Sequence, residues 1–225
     1  MSGAPASAGT TTMLTHNRVS LALHHLRDGD GHALLLLHGL GEAAPETVPV
    51  WVDSWQGPIA ALDFTGHGES TTPIGGGYTA EILLADADIA LAELGRATVF
   101  GRGLGAYIAL QLAGSRPADV LGTILADGPG LAGGATFPTS QSFFTLPATD
   151  GPPDPIALVE MSRDLRPPDY AAAFVRLALA GSPLDEPICV TAVFHPPWLE
   201  AVAAEPGVVA TTIADALTRY APPGF

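Results

Sequence analysis

Apolar positions along the chain form short continuous runs that are separated by amphipathic stretches. Four of these runs predict strands that are covered on both faces, at 33–37, 58–62, 97–100 and 122–126. A partly alternating run over 17–26 predicts an earlier strand that ends at the turn sequence Asp28-Gly29-Asp30-Gly31. We expect residues 1–14, which are mostly small and polar, to form a flexible tail.

Apolar residues with the spacing of a helix occur between the later runs. Apolar residues recur every three or four positions from 83 to 94, with Thr79 as a candidate N-cap and Gly95 just beyond the end. A second helix is predicted over 104–113, closed by Gly114. Strands that alternate with helices predict an α/β fold, with a mostly parallel central sheet and helices on both faces.

The pattern loosens after Asp127. Residues 128–155 are dense in Gly, Pro, Ser and Thr, which predicts a loop or an excursion over the sheet. A helix is predicted over 169–180, a last strand over 188–194, and an amphipathic helix from 209 to 220. We expect 15–225 to form one domain and 131–187 to form a cap or lid, with 137–156 and the 169–180 helix covering a pocket.

Composition narrows the class of protein. Hydrophobic residues make up 47% of the 225 and charged residues 14%, which excludes a disordered chain. The net charge of −14 argues against partners with a phosphate backbone and against anionic membranes. The single Cys189 excludes an intrachain disulfide and is expected to be buried. Neither a leader-like N-terminus nor a membrane-length apolar run is evident, so we expect a cytoplasmic protein.

Three glycine-rich motifs follow three of the predicted strands. They read LLLLHGLGE at 34–42, LDFTGHGES at 62–70 and VFGRGLGAYIAL at 99–110. In this order, each at the carboxyl end of a strand, they resemble the α/β-hydrolase fold superfamily, and most of all its esterase, lactonase and C–C hydrolase branch. The resemblance covers about residues 17–130 and implies an α/β-hydrolase fold, with the late strands reduced or replaced.

The third motif departs from the family at one position. A nucleophile elbow reads Gly-x-Ser-x-Gly between a strand and a helix. Here the segment is Gly101-Arg102-Gly103-Leu104-Gly105, so both flanking glycines are present and Gly103 leaves the nucleophile position vacant. Ser-type acyl transfer through this elbow is therefore not possible. A serine deliberately replaced by glycine would give the same sequence.

The resemblance also assigns roles to other residues. The backbone N–H groups of Leu40 and Leu104 would form an oxyanion hole, and His38, Gly39 and Arg102 would line the pocket. The hole can survive the loss of the nucleophile, because its donors belong to the backbone.

The other members of a catalytic triad are less well defined. His195 is the one histidine after the elbow, and it follows the strand predicted to be the last. The candidate acids are Asp127, at the end of a strand, and Asp185. In the second motif, Asp63, His67 and Ser70 are expected to be structural turn residues.

Metal and cofactor signals are weak. His24 and His25 are adjacent and would point to opposite faces of a strand, and no metal-ligand spacing is present. The glycines at 101–105 do not form a nucleotide-binding motif. We therefore expect neither a metal nor a cofactor.

Several functions remain open at this point. One is a protein of hydrolase lineage that binds a small apolar or ester-like molecule with little or no serine-hydrolase activity. An alternative is an active hydrolase or lyase in which His195 activates water or transfers a proton beside a retained oxyanion hole. A third is an interaction module whose acidic surface binds a basic partner. The sequence leaves the oligomeric state undetermined.

Overall fold

The computed structural model describes residues 9–16, 18–134 and 151–222. The eight strands within these ranges form one sheet. In chain order they are β1 (Thr10–His16), β2 (Val19–Arg27), β3 (Ala33–Leu37), β4 (Ile59–Leu62), β5 (Ala97–Arg102), β6 (Val120–Ala126), β7 (Ile188–Val190) and β8 (Val208–Ala210). Their order across the sheet is β1-β2-β4-β3-β5-β6-β7-β8.

The sheet is parallel from β4 to β8, and β1 and β2 run antiparallel to their neighbours. The predicted apolar runs lie in its centre, and every residue of β3 and β4 is buried. Parallel strands covered on both faces need apolar residues at successive positions, which is why these runs do not alternate. Cys189 is buried in β7, as predicted.

Six α-helices lie in the described part of the chain. They are α1 (Ala80–Leu94), α2 (Leu104–Ser115), α3 (Pro155–Ser162), α4 (Pro168–Gly181), α5 (Pro197–Ala203) and α6 (Ile213–Tyr220). The predicted caps of α1 are confirmed: the Thr79 hydroxyl accepts the Ile82 N–H, and Gly95 ends the helix at φ 79°.

The two faces of the sheet are covered unequally. Residues of α1, α2, α4 and α5 pack in one large apolar cluster. The other face carries a smaller cluster formed with α6 and with the segment around a 3-10 turn, Val50–Val52. Trp55 and Leu217 are buried in that smaller cluster. The thinner cover leaves room for clefts near the carboxyl ends of β3 and β5.

Three sequence-based expectations are wrong. Residues 10–14 belong to β1, paired with β2 from Thr10↔His25 to His16↔Val19, because β-branched threonine, which fills four of its seven positions, suits a strand. The strand at 188–194 extends over only 188–190 and is not the last. Val209 lies in β8 rather than in a terminal helix, and the short length of β8 hid it from the periodicity.

The two helices in the segment expected to form a cap, α3 and α4, pack against different parts of the molecule. A Cβ on Gly114 of α2 would lie 2.7 Å from the Phe174 ring of α4, so α4 packs closely on α2 and belongs to a helical layer rather than to a cover. In contrast, α3 lies against the loop after β3, where a Cβ on Gly41 would lie 3.1 Å from Leu158. Most of 137–156 falls outside the described residues.

Candidate active site

The turn between β5 and α2, which the sequence predicts to be a nucleophile elbow, is tight. Gly103 adopts φ 57° and ψ −119°, a conformation in which a residue with a side chain is strained. Both flanking glycines are required. A Cβ on Gly101 would lie 2.2 Å from the Gly105 carbonyl oxygen, and a Cβ on Gly105 would lie 2.3 Å from that of Leu37. The turn therefore keeps its sharp geometry, and Gly103 has no side chain to present.

The two backbone donors assigned to the oxyanion hole converge on one atom of the protein itself. The Leu40 N–H donates to the Pro129 carbonyl oxygen at 3.0 Å, and the Leu104 N–H donates to the same oxygen at 2.9 Å. The Leu104 N–H also lies at the N-terminus of α2, where partial positive charge favours an oxygen. The loop after β6 therefore supplies the acceptor for both donors.

The position of the Pro129 loop depends on the absence of a side chain at Gly103. A Cβ on Gly103 would lie 2.0 Å from the Pro129 carbonyl oxygen and 2.6 Å from the Gly128 carbonyl carbon. Both contacts are shorter than atoms of this kind allow, and both involve backbone. Any residue other than glycine at 103 would push this loop away from the elbow.

Two buried side chains hold the loop from behind. Arg166 donates through Nη1 to the carbonyl oxygens of Gly130 at 2.6 Å and of Leu131 at 2.8 Å. Trp198 donates through Nε1 to the Leu131 oxygen at 2.7 Å. The Arg166 guanidinium also lies over the Tyr107 ring of α2, 4.6 Å from its centroid. These contacts tie 130–131 to two helices.

Two neutral histidines fix the loop that carries Leu40. His38 donates from Nδ1 to the Gly39 carbonyl and accepts the Phe64 N–H at Nε2. His67 donates from Nδ1 to the Thr65 carbonyl and accepts the Gly41 N–H at Nε2. Burial, aided by the proximity of His67, lowers the pKa of His38 to about 4, and burial also lowers the pKa of His67. Both rings therefore serve as structural supports.

The predicted base and acid do not form a pair. The exposed His195 follows β7, and its Nε2 contacts the Ala192 carbonyl oxygen at 3.0 Å. The Asp127 carboxylate accepts the backbone N–H groups of Val193 and Phe194, at 2.6 and 3.2 Å. The interpretation that His195 follows the last strand is wrong, because β8 comes later and is followed by Thr211 and Thr212.

Residues of the second motif are structural, as predicted. The Asp63 carboxylate accepts N–H groups from Ala44 and Glu69 and contacts His24 Nε2 at 2.9 Å. The Ser70 hydroxyl donates to the Asp63 carbonyl and accepts the Ala22 N–H. Asp185 follows α4 on the segment that leads to β7, before that strand rather than at its carboxyl end.

An apolar cleft of about 290 Å³ lies beside the filled hole. We call it the Trp51 cleft. Its lining consists of Leu36, Leu37, His38, Glu42, Ala43, Ala44, Pro45, Pro49, Trp51 and Arg102. The cleft includes two of the predicted pocket residues, His38 and Arg102. Gly39 lies next to it, and its N–H donates to Glu42 Oε2 at 2.9 Å.

The charged groups of this cleft form one ion pair. Arg102 Nη1 lies 3.3 Å from Glu42 Oε1, and the guanidinium lies 5.9 Å from the centroid of the Trp51 ring. The Trp51 ring in turn packs on Phe100, with 4.6 Å between centroids. A second cavity of about 280 Å³, lined by Asp127, Thr191 and Ile213 among others, shares Trp51 and Arg102 with the first.

The described residues form neither a metal site nor a helix able to span a membrane. Across the described ranges, no three His, Cys, Asp or Glu side chains come together in a way that could hold a metal ion. None of the helices in those ranges combines the length and apolar character that crossing a membrane requires.

Comparison with known proteins identifies the fold. No protein-family model matches the chain, and no curated protein matches it. The chain is similar to the solved thioesterase domain from the curacin biosynthetic pathway, with a TM-score of 0.67, 15% identity, and coverage of 95% of this chain and 98% of that one. For a membrane phospholipase A described as a bacterial virulence factor, the TM-score is 0.51 at 18% identity, covering 92% and 79%.

A shorter match is an epoxide hydrolase from Vigna radiata, with a TM-score of 0.46 and 20% identity over 55% of this chain. The chain spans 41% of the length of that enzyme. The thioesterase domain, matched over nearly the whole of both chains, has the α/β-hydrolase fold, and the architecture and strand order described above agree with it. This chain has an α/β-hydrolase fold.

Sequence reasoning missed the residues that fill and hold the hole. Pro129 acts through its backbone carbonyl, and no side-chain pattern reveals where a carbonyl will point. Arg166 does not stand out in the sequence either, because charged residues surround it at 160–169; only the structure shows that its side chain is 1% exposed. A buried arginine needs partners, and here carbonyl groups supply them.

Proposed function

We propose that this protein has no serine-hydrolase activity and instead binds a small apolar or ester-like molecule. The observation that carries the first half is the Pro129 carbonyl oxygen, which accepts both N–H groups of the oxyanion hole above a glycine in the nucleophile position. In a serine protease, loss of the nucleophile alone lowers turnover by about 10⁶-fold, and the residual rate depends on a free oxyanion hole. Here the hole is occupied as well.

The Trp51 cleft supports the second half of the proposal. Its walls are mostly apolar with a few polar groups, and its volume is near the lower end of the range for small-molecule sites. It also lies at the carboxyl ends of β3 and β5, the edge where open α/β sheets bind ligands.

The alternative function needs His195 as a base and an available oxyanion hole. The His195 ring is bonded to a backbone carbonyl of its own loop, and the donors of the hole are engaged. No contact in the described residues favours that alternative over a binding role.

Turnover of short-chain p-nitrophenyl esters tests the catalytic half. We expect the unaltered protein, Gly103→Ser and Gly103→Ala all to remain at the rate of spontaneous hydrolysis. The two variants should lose stability to a similar extent, because the added Cβ rather than the hydroxyl meets the loop. Turnover by the unaltered protein at the rate of an ordinary esterase would contradict the proposal. Turnover by Gly103→Ser alone would show that the loop leaves the hole readily.

Thermal unfolding with a panel of neutral esters and lactones tests the binding half. A ligand that binds the folded state raises the midpoint temperature in proportion to its saturation. We expect several members of the panel to raise it, and a panel that leaves it unchanged throughout would contradict a binding role.

A further inference from the structure

We infer that the Trp51 cleft is the ligand site and that it selects an uncharged apolar molecule with one hydrogen-bond acceptor directed at Arg102. This inference rests on the proposed binding function and adds to it a location and a ligand class. It separates the binding site from the elbow, because the ligand does not enter the oxyanion hole.

A ligand has room in the Trp51 cleft rather than at the elbow. The elbow is closed, since the Leu40 and Leu104 N–H groups donate to the Pro129 carbonyl oxygen. The Trp51 cleft has a lining of its own, which includes Arg102, the residue that precedes Gly103. Pro45, Pro49 and the Trp51 ring supply walls with few rotatable bonds, so a ligand orders little protein on binding.

The charges of the cleft favour a neutral ligand. Glu42 and Arg102 are the charged residues of the lining, and they pair with each other at 3.3 Å. A carboxylate ligand near Arg102 would also lie near Glu42, and a cationic ligand near Glu42 would lie near Arg102. His38 adds no charge near neutral pH, because burial keeps it unprotonated. The pair therefore disfavours both signs of charge relative to a neutral ligand.

Arg102 can offer a ligand one polar contact. Within the described residues, the guanidinium of Arg102 has one hydrogen-bond partner, Glu42, which it reaches through Nη1. Its other N–H groups are available at the cleft, where the residue is about one third exposed. A carbonyl oxygen of an ester or lactone is an acceptor of the required kind.

Tryptophan fluorescence can report on this site directly. The chain contains three tryptophans; Trp55 and Trp198 are each 1% exposed, and Trp51 is the partly exposed one that lines the cleft. The probes are methyl phenylacetate and phenylacetate, which differ mainly in charge. We expect a saturable change in fluorescence with the ester and at least about tenfold weaker binding of the carboxylate, which corresponds to about 1.4 kcal/mol.

Variants that block the Trp51 cleft test whether the change in fluorescence arises from binding there. Ala43 lies on an exposed part of the cleft wall, so Ala43→Phe should fill the cleft without disturbing the core, and should abolish the response to the ester. Ile213→Phe is the matched control, because Ile213 lines the second cavity but not the first. An unchanged ester affinity in Ala43→Phe would overturn the inference.

A charge variant tests the selection rule. Glu42→Gln keeps an acceptor for the Gly39 N–H but frees the positive charge of Arg102. It should raise the affinity for phenylacetate about tenfold and leave the affinity for the ester unchanged. Asp53→Asn removes the same charge at a site that is 74% exposed and outside the cleft, and should change neither affinity.

Three results would overturn the inference: equal binding of ester and carboxylate by the unaltered protein, no gain for the carboxylate in Glu42→Gln, or no binding of either probe. The thermal panel and the turnover assay still decide the proposed function in each case. Turnover of a bound ester would contradict the proposed function but leave the location of the site intact.

Discussion

Two regions at the carboxyl edge of the sheet share the ends of β3 and β5 and differ in what occupies them. At the turn between β5 and α2, the Leu40 and Leu104 N–H groups donate to the protein's own Pro129 carbonyl oxygen beside Gly103. At the Trp51 cleft, a cavity of about 290 Å³ lies between apolar walls and one ion pair. The difference shows that one edge of the sheet can carry both a turn closed by backbone and an adjacent cavity near the size that small molecules occupy.

The largest expected effect breaks the elbow itself. Gly105→Ala places a Cβ 2.3 Å from the Leu37 carbonyl oxygen and 2.6 Å from that of His38, and neither backbone atom can move without disturbing β3. We expect the free energy of unfolding to fall by about 4 kcal/mol, measured by urea denaturation. Gly151→Ala is the control, because a Cβ there meets none of the described residues within 4 Å. An equal effect of the two substitutions would contradict this explanation.

The next effect releases the loop that fills the hole. Arg166→Met removes the donor to the Gly130 and Leu131 carbonyls and should lower the free energy of unfolding by about 3 kcal/mol. Hydrogen exchange at the Leu40 and Leu104 amides should accelerate, because their acceptor moves. Arg176→Met is the control: it removes an exposed pair with Glu205 and should leave the free energy of unfolding nearly unchanged. Unchanged exchange would show that the loop holds without Arg166.

The third effect is a dependence of stability on pH, which arises from His38 between the elbow and the Trp51 cleft. The pKa of His38 is lowered from 6.5 to about 4, so between these values only the unfolded chain takes up the proton. The contribution of His38 is therefore fully present above pH 6.5 and is lost as pH falls toward 4, by about 3 kcal/mol.

Comparison with His38→Gln isolates this contribution. The difference in unfolding free energy between the two proteins should shrink as pH falls from 7 to 4. Asp86 acts in the opposite direction, because burial raises its pKa to about 7, and its effect cancels in the difference. A difference independent of pH would contradict the role given to His38.

The smallest expected effect concerns His195. The residue is exposed and lines neither described cavity, so His195→Ala should change stability by less than about 0.5 kcal/mol and leave the affinity for methyl phenylacetate unchanged. Loss of ligand binding in this variant would bring His195 back as a functional residue.

Much of the fold could be predicted from the sequence because its central elements carry strong local signals. The run at 33–37 matches β3, and Thr79 and Gly95 bound α1 as their side chains predict. The edges could not be predicted in the same way. Strands as short as β8 have too few residues for periodicity, and the Thr-rich β1 resembles a polar tail until its pairing partner is known.

The candidate site, like the fold, could be predicted only in part. Gly103 is visible in the sequence because its absence of a side chain breaks a motif of fixed spacing. The partner of that glycine, the Pro129 carbonyl, becomes visible only when β5 and β6 are placed side by side. Every residue carries a main-chain carbonyl, so the sequence does not mark the one that acts as an acceptor. Only the three-dimensional structure shows which groups it contacts.

The close approach of Pro129 to Gly103 also bears on the order of substitutions by which such a chain can change. While the loop occupies the elbow, a glycine-to-serine substitution meets backbone at 2.0 Å and lowers stability before any catalytic benefit arises. A residue with a side chain at 103 therefore requires an earlier change that moves residues 128–131. The lining of the Trp51 cleft can change one substitution at a time, whereas a nucleophile at 103 requires at least two substitutions in a fixed order.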